Sequence, residues 1–181
     1  MQYSISTRLN ELAAFVVSLI LFAAFWMQIA DNELPCPLCL LQRVGFTGVL
    51  IGLLLNIHYN VRPSYYGIMG LSALFGMAVS LRQISLHIIP PDPGYGSAIL
   101  GFHLYTWAFI SFFAVLVGSS LMLIFERQFN AMPTPTIKVA VSKFGKAITL
   151  FVLLLILANV VTVLLECGLS ECPDNPTAYH L

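Results

Sequence analysis

Apolar residues are grouped along the chain into five long runs that are separated by short polar stretches. The runs cover residues 12–30, 40–57, 65–81, 99–125 and 147–165. Each run approaches or exceeds the roughly 20 residues that an α-helix needs to cross the hydrocarbon core of a bilayer. Because lipid offers no hydrogen-bond partners to the backbone, helices that satisfy their own polar groups are expected. The pattern predicts an all-α integral membrane protein, with one transmembrane domain of five helices at residues 1–181.

The composition supports the same class of protein. Of the 181 residues, 59% are hydrophobic and 9% are charged, and the mean hydropathy is +0.89. A soluble domain carries about 25% charged residues, so this chain has too few charges to cover itself in water. The formal net charge is zero, and it therefore gives no argument for a nucleic acid partner.

The first apolar run has a second interpretation, as a secretory signal peptide. It spans residues 12–30 and is longer than the usual apolar region of about 7–15 residues in such peptides. No clear small-residue cleavage site follows it. A first transmembrane helix is therefore the favoured interpretation.

The charged residues between the runs are separated by sign. The side of the membrane that holds the N-terminus receives Arg8, Arg62, Arg127, Lys138, Lys143 and Lys146. The opposite side receives Asp31, Glu33, Asp92, Glu166, Glu171 and Asp174, with Arg43 and Arg82 as its nearby basic residues. Lys and Arg accumulate in cytoplasmic loops. The pattern predicts a cytoplasmic N-terminus and, after five crossings, an outer C-terminus.

With this orientation, all four cysteines lie on the outer side of the membrane. Cys36 and Cys39 separate the first two helices, and Cys167 and Cys172 follow the fifth helix in a tail at residues 166–181. Disulfides persist in the outer compartment and are rare in the cytosol. A four-helix topology would place the second pair in the cytosol, so the charges and the cysteines support the same topology.

The segment 34–43 carries the most specific motif, Leu-Pro-Cys-Pro-Leu-Cys-Leu-Leu-Gln-Arg. Two cysteines at C-x-x-C spacing form a small, exchangeable disulfide ring. Pro37 suits the first position of a helix, which places Cys39 in the first turn, where the helix dipole favours an anion. Arg43 lies four residues further, on the same face. A buried arginine near a membrane needs a partner, so the motif predicts a reactive Cys39 thiolate.

The same residues are also compatible with non-catalytic roles. A C-x-x-C pair is half of many zinc sites, although Arg43 opposes a second cation there and the remaining two cysteines are spaced C-x4-C without a histidine between them. The pair also fits a structural disulfide, and Arg43 alone fits an interfacial anchor. The alternative function is therefore a metal-handling or structural membrane protein with non-catalytic disulfides.

The sequence Cys36-Pro-Leu-Cys39 followed by Arg43, at the outer end of the second helix, resembles the bacterial disulfide-bond formation protein B (DsbB) family. The segment 82–87, Arg-Gln-Ile-Ser-Leu-His, is also similar to that family. The resemblance covers the first three helices well and the fourth more loosely. It implies a four-helix core, to which this chain adds a fifth helix.

The resemblance also implies a function. Such a protein is a quinone-dependent thiol oxidase of the bacterial inner membrane with its active face in the periplasm. It reoxidises a periplasmic thioredoxin-fold (DsbA-like) dithiol partner and passes the electrons to ubiquinone or menaquinone. Cys39 would be the quinone-proximal thiolate, Cys36 the sulfur that exchanges with the second pair, and Arg43 the residue that holds a quinone oxygen.

The chain departs from the family pattern in its second cysteine pair. Family members carry that pair in the outer loop between the third and fourth helices, and residues 82–101 of this chain contain no cysteine. Cys167 and Cys172 instead follow the added fifth helix. They are candidates for the same catalytic shuttle on a different tether, with a structural clip at the end of the helix as the alternative.

Arg82 and His87 are further candidates for binding the quinone head group, because both lie near the outer interface. Their alternative roles are a helix-end anchor for Arg82 and a solvated interfacial histidine for His87.

Overall fold

The computed structural model describes residues 5–31, 33–89, 91–129, 140–173, 176 and 178–179. The helices within this part of the chain are α1 (Ile5–Ala30), α2 (Pro37–His58), α3 (Pro63–Leu86), α4 (Leu104–Ile124) and α5 (Lys143–Cys167), with a short 3-10 helix at Glu126–Phe129. All five α-helices are long and apolar enough to cross a membrane. The predicted all-α membrane fold is confirmed. The predicted orientation stays a prediction, and Lys138 and Asp174, on which it partly rests, lie outside the described residues.

The fourth helix begins at Leu104 instead of residue 99. Residues Ala98–Ile99 (β1) pair antiparallel with Phe102–His103 (β2) in a two-stranded hairpin. Leu100 and Gly101 form the turn between the two strands, with left-handed φ angles of 52° and 83°. The chain is therefore not helical at these two residues. An apolar run alone does not distinguish such a hairpin from the first turn of a helix.

The helices form a bundle in which α2 packs against α1 and α3, and α3 packs against α4. The added helix α5 packs mainly against α1 and also touches α2. At the centre, Phe46 of α2 stacks on Phe112 of α4 with ring centroids 4.0 Å apart. The contacts between helices therefore define a four-helix core, α1 to α4, with α5 at its periphery.

Polar side chains link the helices near the N-terminal end of α1. Asn56 of α2 donates to Asn10 of α1 at 3.0 Å, and Asn10 donates to the hydroxyl of Tyr66 on α3 at 2.9 Å. Ser142, which caps α5 by accepting from the backbone of Gly145, also donates to Glu11 of α1. These bonds hold the ends of four helices together, because buried polar groups in a bilayer need partners from neighbouring helices.

At the opposite end, the α3–α4 connection folds over the α1–α2 connection. The hydroxyl of Tyr95 donates to the carbonyl of Leu34 at 2.6 Å, and the backbone of Ser97 donates to the Glu33 carboxylate at 3.1 Å. Burial raises the pKa of Tyr95, so the hydroxyl keeps its proton for this bond. The contacts bring the two connections together above the C-x-x-C motif.

Candidate active site

The C-x-x-C motif forms the start of α2, as predicted from Pro37. Cys36 is the N-cap residue, with φ −69° and ψ 162°, and Pro37 occupies the first turn. The sulfur of Cys36 accepts a hydrogen bond from the backbone N–H of Cys39 at 3.3 Å. Proline cannot donate from its backbone, so it suits a helix start where N–H groups lack intrahelical partners. The sequence therefore holds both sulfurs at the positive end of the helix dipole.

The two sulfur atoms lie in direct contact. Cys36 and Cys39 are free cysteines with their sulfurs 2.6 Å apart. The hydrogen bond to Cys39, followed by burial, raises the pKa of the Cys36 thiol. Cys36 is therefore the more basic sulfur of the pair. Exchange at Cys36 with Cys39 as the leaving sulfur fits this arrangement, because the less basic sulfur leaves faster.

Arg43 lies on the same helix and is turned into the protein. Its side chain is 6% exposed, which does not fit an anchor that extends to the membrane surface. One guanidinium nitrogen donates to the side chain of Gln28 at 2.7 Å and the other to the carbonyl of Ala24 at 3.3 Å. The guanidinium also lies 4.6 Å from the centre of the Phe25 ring. These neutral partners fix the position of the charge without neutralising it.

A cavity of about 300 Å³ lies beside the thiols and contains Arg43. Its walls are mostly apolar and come from α1, α2, α4, the α1–α2 connection and the α3–α4 connection. The polar or aromatic residues lining it include Cys39, Gln42, Arg43, Tyr95, Tyr105 and Trp107. The structure therefore brings two predicted site residues, Cys39 and Arg43, to the wall of one apolar space.

Arg82 and His87 are placed differently. Arg82 has an exposed side chain on α3, and the described residues that line the cavity include neither Arg82 nor His87. The ring of His87 lies 3.0 Å from the Asp92 carboxylate and stacks on the ring of Tyr105 at 5.7 Å. Tyr105 lines the cavity, so His87 is separated from it by one ring. Quinone binding by Arg82 and His87 stays a prediction.

Two glutamines of the site, Gln83 and Gln42, were not predicted from the sequence. Gln83 of α3 is 1% exposed, and its side-chain nitrogen lies 3.3 Å from the sulfur of Cys36 and 3.5 Å from that of Cys39. Gln42 donates to the side-chain oxygen of Gln83 at 2.8 Å. A signal was present, because Gln83 continues the buried face of α3 that includes Tyr66, Met69, Ala73, Gly76 and Ser80. That spacing follows one face of a helix and selects Gln83 over its neighbour Arg82.

The second cysteine pair is joined by a disulfide between Cys167 and Cys172. Cys167 is the last residue of α5 and is 3% exposed, whereas Cys172 is partly exposed in the tail. Glu166, which is also buried, interacts electrostatically with Arg43 and with Tyr95. The C-terminal end of α5 therefore lies on the same side of the bundle as the first pair.

The tail also returns to the Arg43 region. The hydroxyl of Tyr179 accepts a hydrogen bond from the side chain of Gln28 at 3.1 Å, and Gln28 accepts from Arg43.

Within the described residues, His, Cys, Asp and Glu side chains do not form a group of three or more that is arranged to hold a metal ion.

Fold and site together define a multi-pass membrane protein with a dithiol at one end of its bundle, next to an apolar cavity that contains a buried arginine. Residues 6–96, which include α1 after its first residue, α2, α3 and the C-x-x-C motif, match the family of disulfide bond formation protein DsbB. The chain belongs to this family, and the resemblance found in the sequence is confirmed.

Individual relatives are similar to parts of the chain. The chain is 40% identical to disulfide bond formation protein B of Cupriavidus metallidurans over 80 residues, which are 44% of this chain and 50% of the relative. It is 36% identical to the protein of the same name from Chromobacterium violaceum over 122 residues, which are 62% of this chain and 71% of the relative. The chain thus spans about half the length of the Cupriavidus relative.

Proposed function

We propose that this protein is a membrane thiol oxidase that reoxidises a periplasmic DsbA-like, thioredoxin-fold dithiol partner and passes the electrons to quinone in the bacterial inner membrane. The observation that carries the proposal is that Cys39 and Arg43 line the same apolar cavity while Cys39 touches Cys36. Membership of the family supports the disulfide-forming part of this function.

The residues of the cavity suit a quinone head group. Its mostly apolar walls match a flat, apolar ring, and the cavity of about 300 Å³ falls at the lower end of ordinary ligand sites. Arg43 has five N–H donors, of which two are used in the bonds to Gln28 and Ala24. A remaining donor is able to bind a quinone oxygen. When bound, quinone accepts two electrons and two protons and becomes quinol.

The electrons reach Cys39 by two disulfide exchanges. The partner's dithiol reduces the Cys167–Cys172 disulfide and becomes a disulfide itself. The dithiol of Cys167 and Cys172 then reduces the Cys36–Cys39 disulfide by attack on Cys36, with Cys39 as the leaving thiolate. Each exchange moves two electrons and two protons. The reduced Cys36 and Cys39 therefore hold the two electrons and two protons that reduce quinone to quinol.

Exposure of the second pair favours Cys172 as the sulfur that meets the partner. Cys172 is partly exposed, and Cys167 is buried at the end of α5. With the partner supplied in its disulfide form, the free Cys172 thiol of a Cys167→Ser variant should attack that disulfide and accumulate a mixed disulfide with release of the partner's other thiol, and Cys172→Ser should accumulate much less. Equal trapping in both variants, measured on non-reducing gels, would show that the tail opens freely. Absence of trapping in both would support the structural clip.

The deciding experiment measures quinone reduction by the purified protein supplied with a reduced thioredoxin-fold partner. Quinol formation is expected in the unmodified protein and in Ser120→Ala, an exposed position on α4, and should vanish in Cys39→Ser. Failure to reduce ubiquinone or menaquinone with any partner tried would contradict the proposal. Metal analysis of that protein would then test the metal-handling alternative.

Arg43→His tests the quinone side separately. The variant should have a higher KM for quinone, because histidine has no guanidinium to bind a quinone oxygen in the cavity. Exchange between Cys36 and added dithiols should continue. Unchanged quinone kinetics would contradict the assigned role of Arg43. The same measurement on Arg82→Gln and His87→Ala tests the two remaining binding predictions.

A further inference from the structure

The side chain of Gln83 lies against the dithiol from a different helix. Cys36 and Cys39 belong to the start of α2, whereas Gln83 belongs to the outer end of α3. Its side-chain nitrogen is 3.3 Å from one sulfur and 3.5 Å from the other. Sulfur is a large acceptor, so both distances fall within hydrogen-bond range. Gln83 is therefore a side-chain donor to both sulfurs of the motif.

A second glutamine determines which way the amide of Gln83 faces. The side-chain nitrogen of Gln42 donates to the side-chain oxygen of Gln83 at 2.8 Å. With its oxygen engaged by Gln42, Gln83 presents its NH2 group to the sulfurs. Both glutamines are buried, at 6% and 1% exposure. A buried amide is costly unless its groups are bonded, so this pair is held in one arrangement.

The amide of Gln83 bonds more strongly to a charged sulfur than to a neutral one. A hydrogen bond to an ionised acceptor is about twice as strong as a bond between neutral groups, and the low dielectric of a buried site increases the difference. A thiolate forms at Cys39 when Cys36 of the Cys36–Cys39 disulfide is attacked, because the S–S bond between them breaks and Cys39 is the leaving sulfur. The N–H of Gln83 lies where that charge appears.

We propose that Gln83 stabilises, by a direct hydrogen bond, the Cys39 thiolate released by exchange at Cys36, and that Gln42 is the positioning residue that orients the amide of Gln83. The inference deepens the proposed function, on which its role in the reaction rests. It assigns to α3 a direct part in thiol chemistry that the motif on α2 does not reveal.

The test measures how fast Cys39 is alkylated by iodoacetamide as the pH is varied, with mass spectrometry to separate Cys39 from Cys36. The full-length protein carries Cys167→Ser and Cys172→Ser, so that no second pair exchanges with the first. Gln83→Leu should shift the alkylation midpoint to higher pH and slow the reaction near neutral pH by about tenfold. Gln42→Leu should shift it in the same direction by less, because the amide is retained and only its orientation is freed.

Ser85→Ala is the matched control, since Ser85 is an exposed residue of the same helix whose hydroxyl donates to the carbonyl of Leu81. It should leave the midpoint unchanged. If Gln83→Leu is not recovered folded, Gln83→Glu carries the test. It keeps the size of the side chain and places a carboxylate against the sulfur, which should shift the midpoint at least as far.

An unchanged midpoint in folded Gln83→Leu or Gln83→Glu would overturn the proposal. A purely structural role would lower stability without moving the pH dependence of alkylation. The assay contains neither quinone nor partner. Absence of quinone reduction by the unmodified protein would therefore count against the proposed function, and the pH dependence of Cys39 alkylation would still test the role of Gln83.

Discussion

Single charged residues at the end of the bundle that carries the thiols differ in how their charge is balanced. Arg43 is bound by an amide, a carbonyl and an aromatic ring, all of them neutral. Glu166 acts on it through the electrostatic field. Within the described residues, no carboxylate forms a salt bridge with Arg43, so the guanidinium keeps N–H donors for an electron-rich oxygen in the cavity, which is what the proposed quinone site requires.

We expect the charge of Asp92 to make the α3–α4 connection sensitive to pH. Its carboxylate accepts from the backbone of Gly94 at 2.8 Å and lies 3.0 Å from the ring of His87. The bond from Gly94, followed by that from His87, holds the pKa of Asp92 below its ordinary value. A carboxyl whose pKa is lower in the folded state stabilises that state above its unfolded pKa, and the contribution is lost as the pH falls through the folded pKa.

We therefore expect residues 91–97 to lose protection from hydrogen exchange as the pH falls below about 4. Exchange is followed by mass spectrometry and corrected for its intrinsic pH dependence. Asp92→Asn keeps an oxygen for the N–H of Gly94 but does not titrate, so its loop protection should not vary in this range. An identical pH response in Asp92→Asn would assign the effect to another group.

Sequence and structure agree best at residues whose spacing has a chemical meaning. Cys36, Cys39 and Arg43 are predictable together because a C-x-x-C motif and an arginine one turn later are rare in an apolar run. The helical spacing of the buried face of α3 points to Gln83, but a single glutamine in a helix forms no chemical motif, so the sequence does not connect Gln83 or Gln42 with the thiols. Their function depends on α2 and α3 packing side by side, which apolar runs do not specify.

Among the elements, α3 and α4 are joined by a close contact at a glycine. A Cβ atom added to Gly76 of α3 would lie 2.2 Å from the ring of Phe112 on α4. A Cβ added to Gly45 of α2 would lie 3.0 Å from the same ring. Phe112 therefore fits a notch formed by two glycines. Small residues that let helices approach closely are typical of packing in membranes.

Gly76→Ala should lower the free energy of unfolding by about 1–3 kcal/mol, the usual cost of overpacking a core. The measurement is the denaturation midpoint in detergent. Gly118→Ala of α4 is the control, because a Cβ there meets no atom within 4 Å, and the higher helix propensity of alanine should leave it at least as stable. Equal stability of the two variants would mean that Phe112 moves aside without cost.

The ends of the elements are less predictable than their number. The five apolar runs lie close to the five helices, but the fourth run begins inside the β1–β2 hairpin. Ile99, Leu100 and Phe102 are all exposed there, at 42%, 85% and 51%. The apolar run therefore includes three residues that do not face the core. Gly101 is the local sign of a turn.

For the whole molecule, the separation of charge predicts which end faces which compartment. Arg8, Arg62, Lys143 and Lys146 lie at one end of the bundle, and the thiols with Glu33, Asp92 and Glu166 lie at the other. Lys and Arg in short loops remain on the cytoplasmic side. We expect a reporter fused after the tail to be active in the outer compartment.

A second reporter, inserted in the α2–α3 connection at residues 59–62, serves as the comparison. It should report the cytoplasm, because an even number of helices precedes it. Activity of both reporters on the same side would contradict the five-helix topology. It would also place the two cysteine pairs in different compartments and remove the basis of the relay.

The two cysteine pairs stand far apart in the order of synthesis, although α5 brings them to the same end of the bundle. At about 5–20 residues per second, the ribosome adds Cys167 on the order of ten seconds after Cys39. A nascent chain thus exposes its first thiol pair before the second exists. Under the proposed relay, only a chain whose last helix has entered the membrane accepts electrons from the partner. Premature termination would leave a protein with a complete C-x-x-C motif and no entry point for electrons.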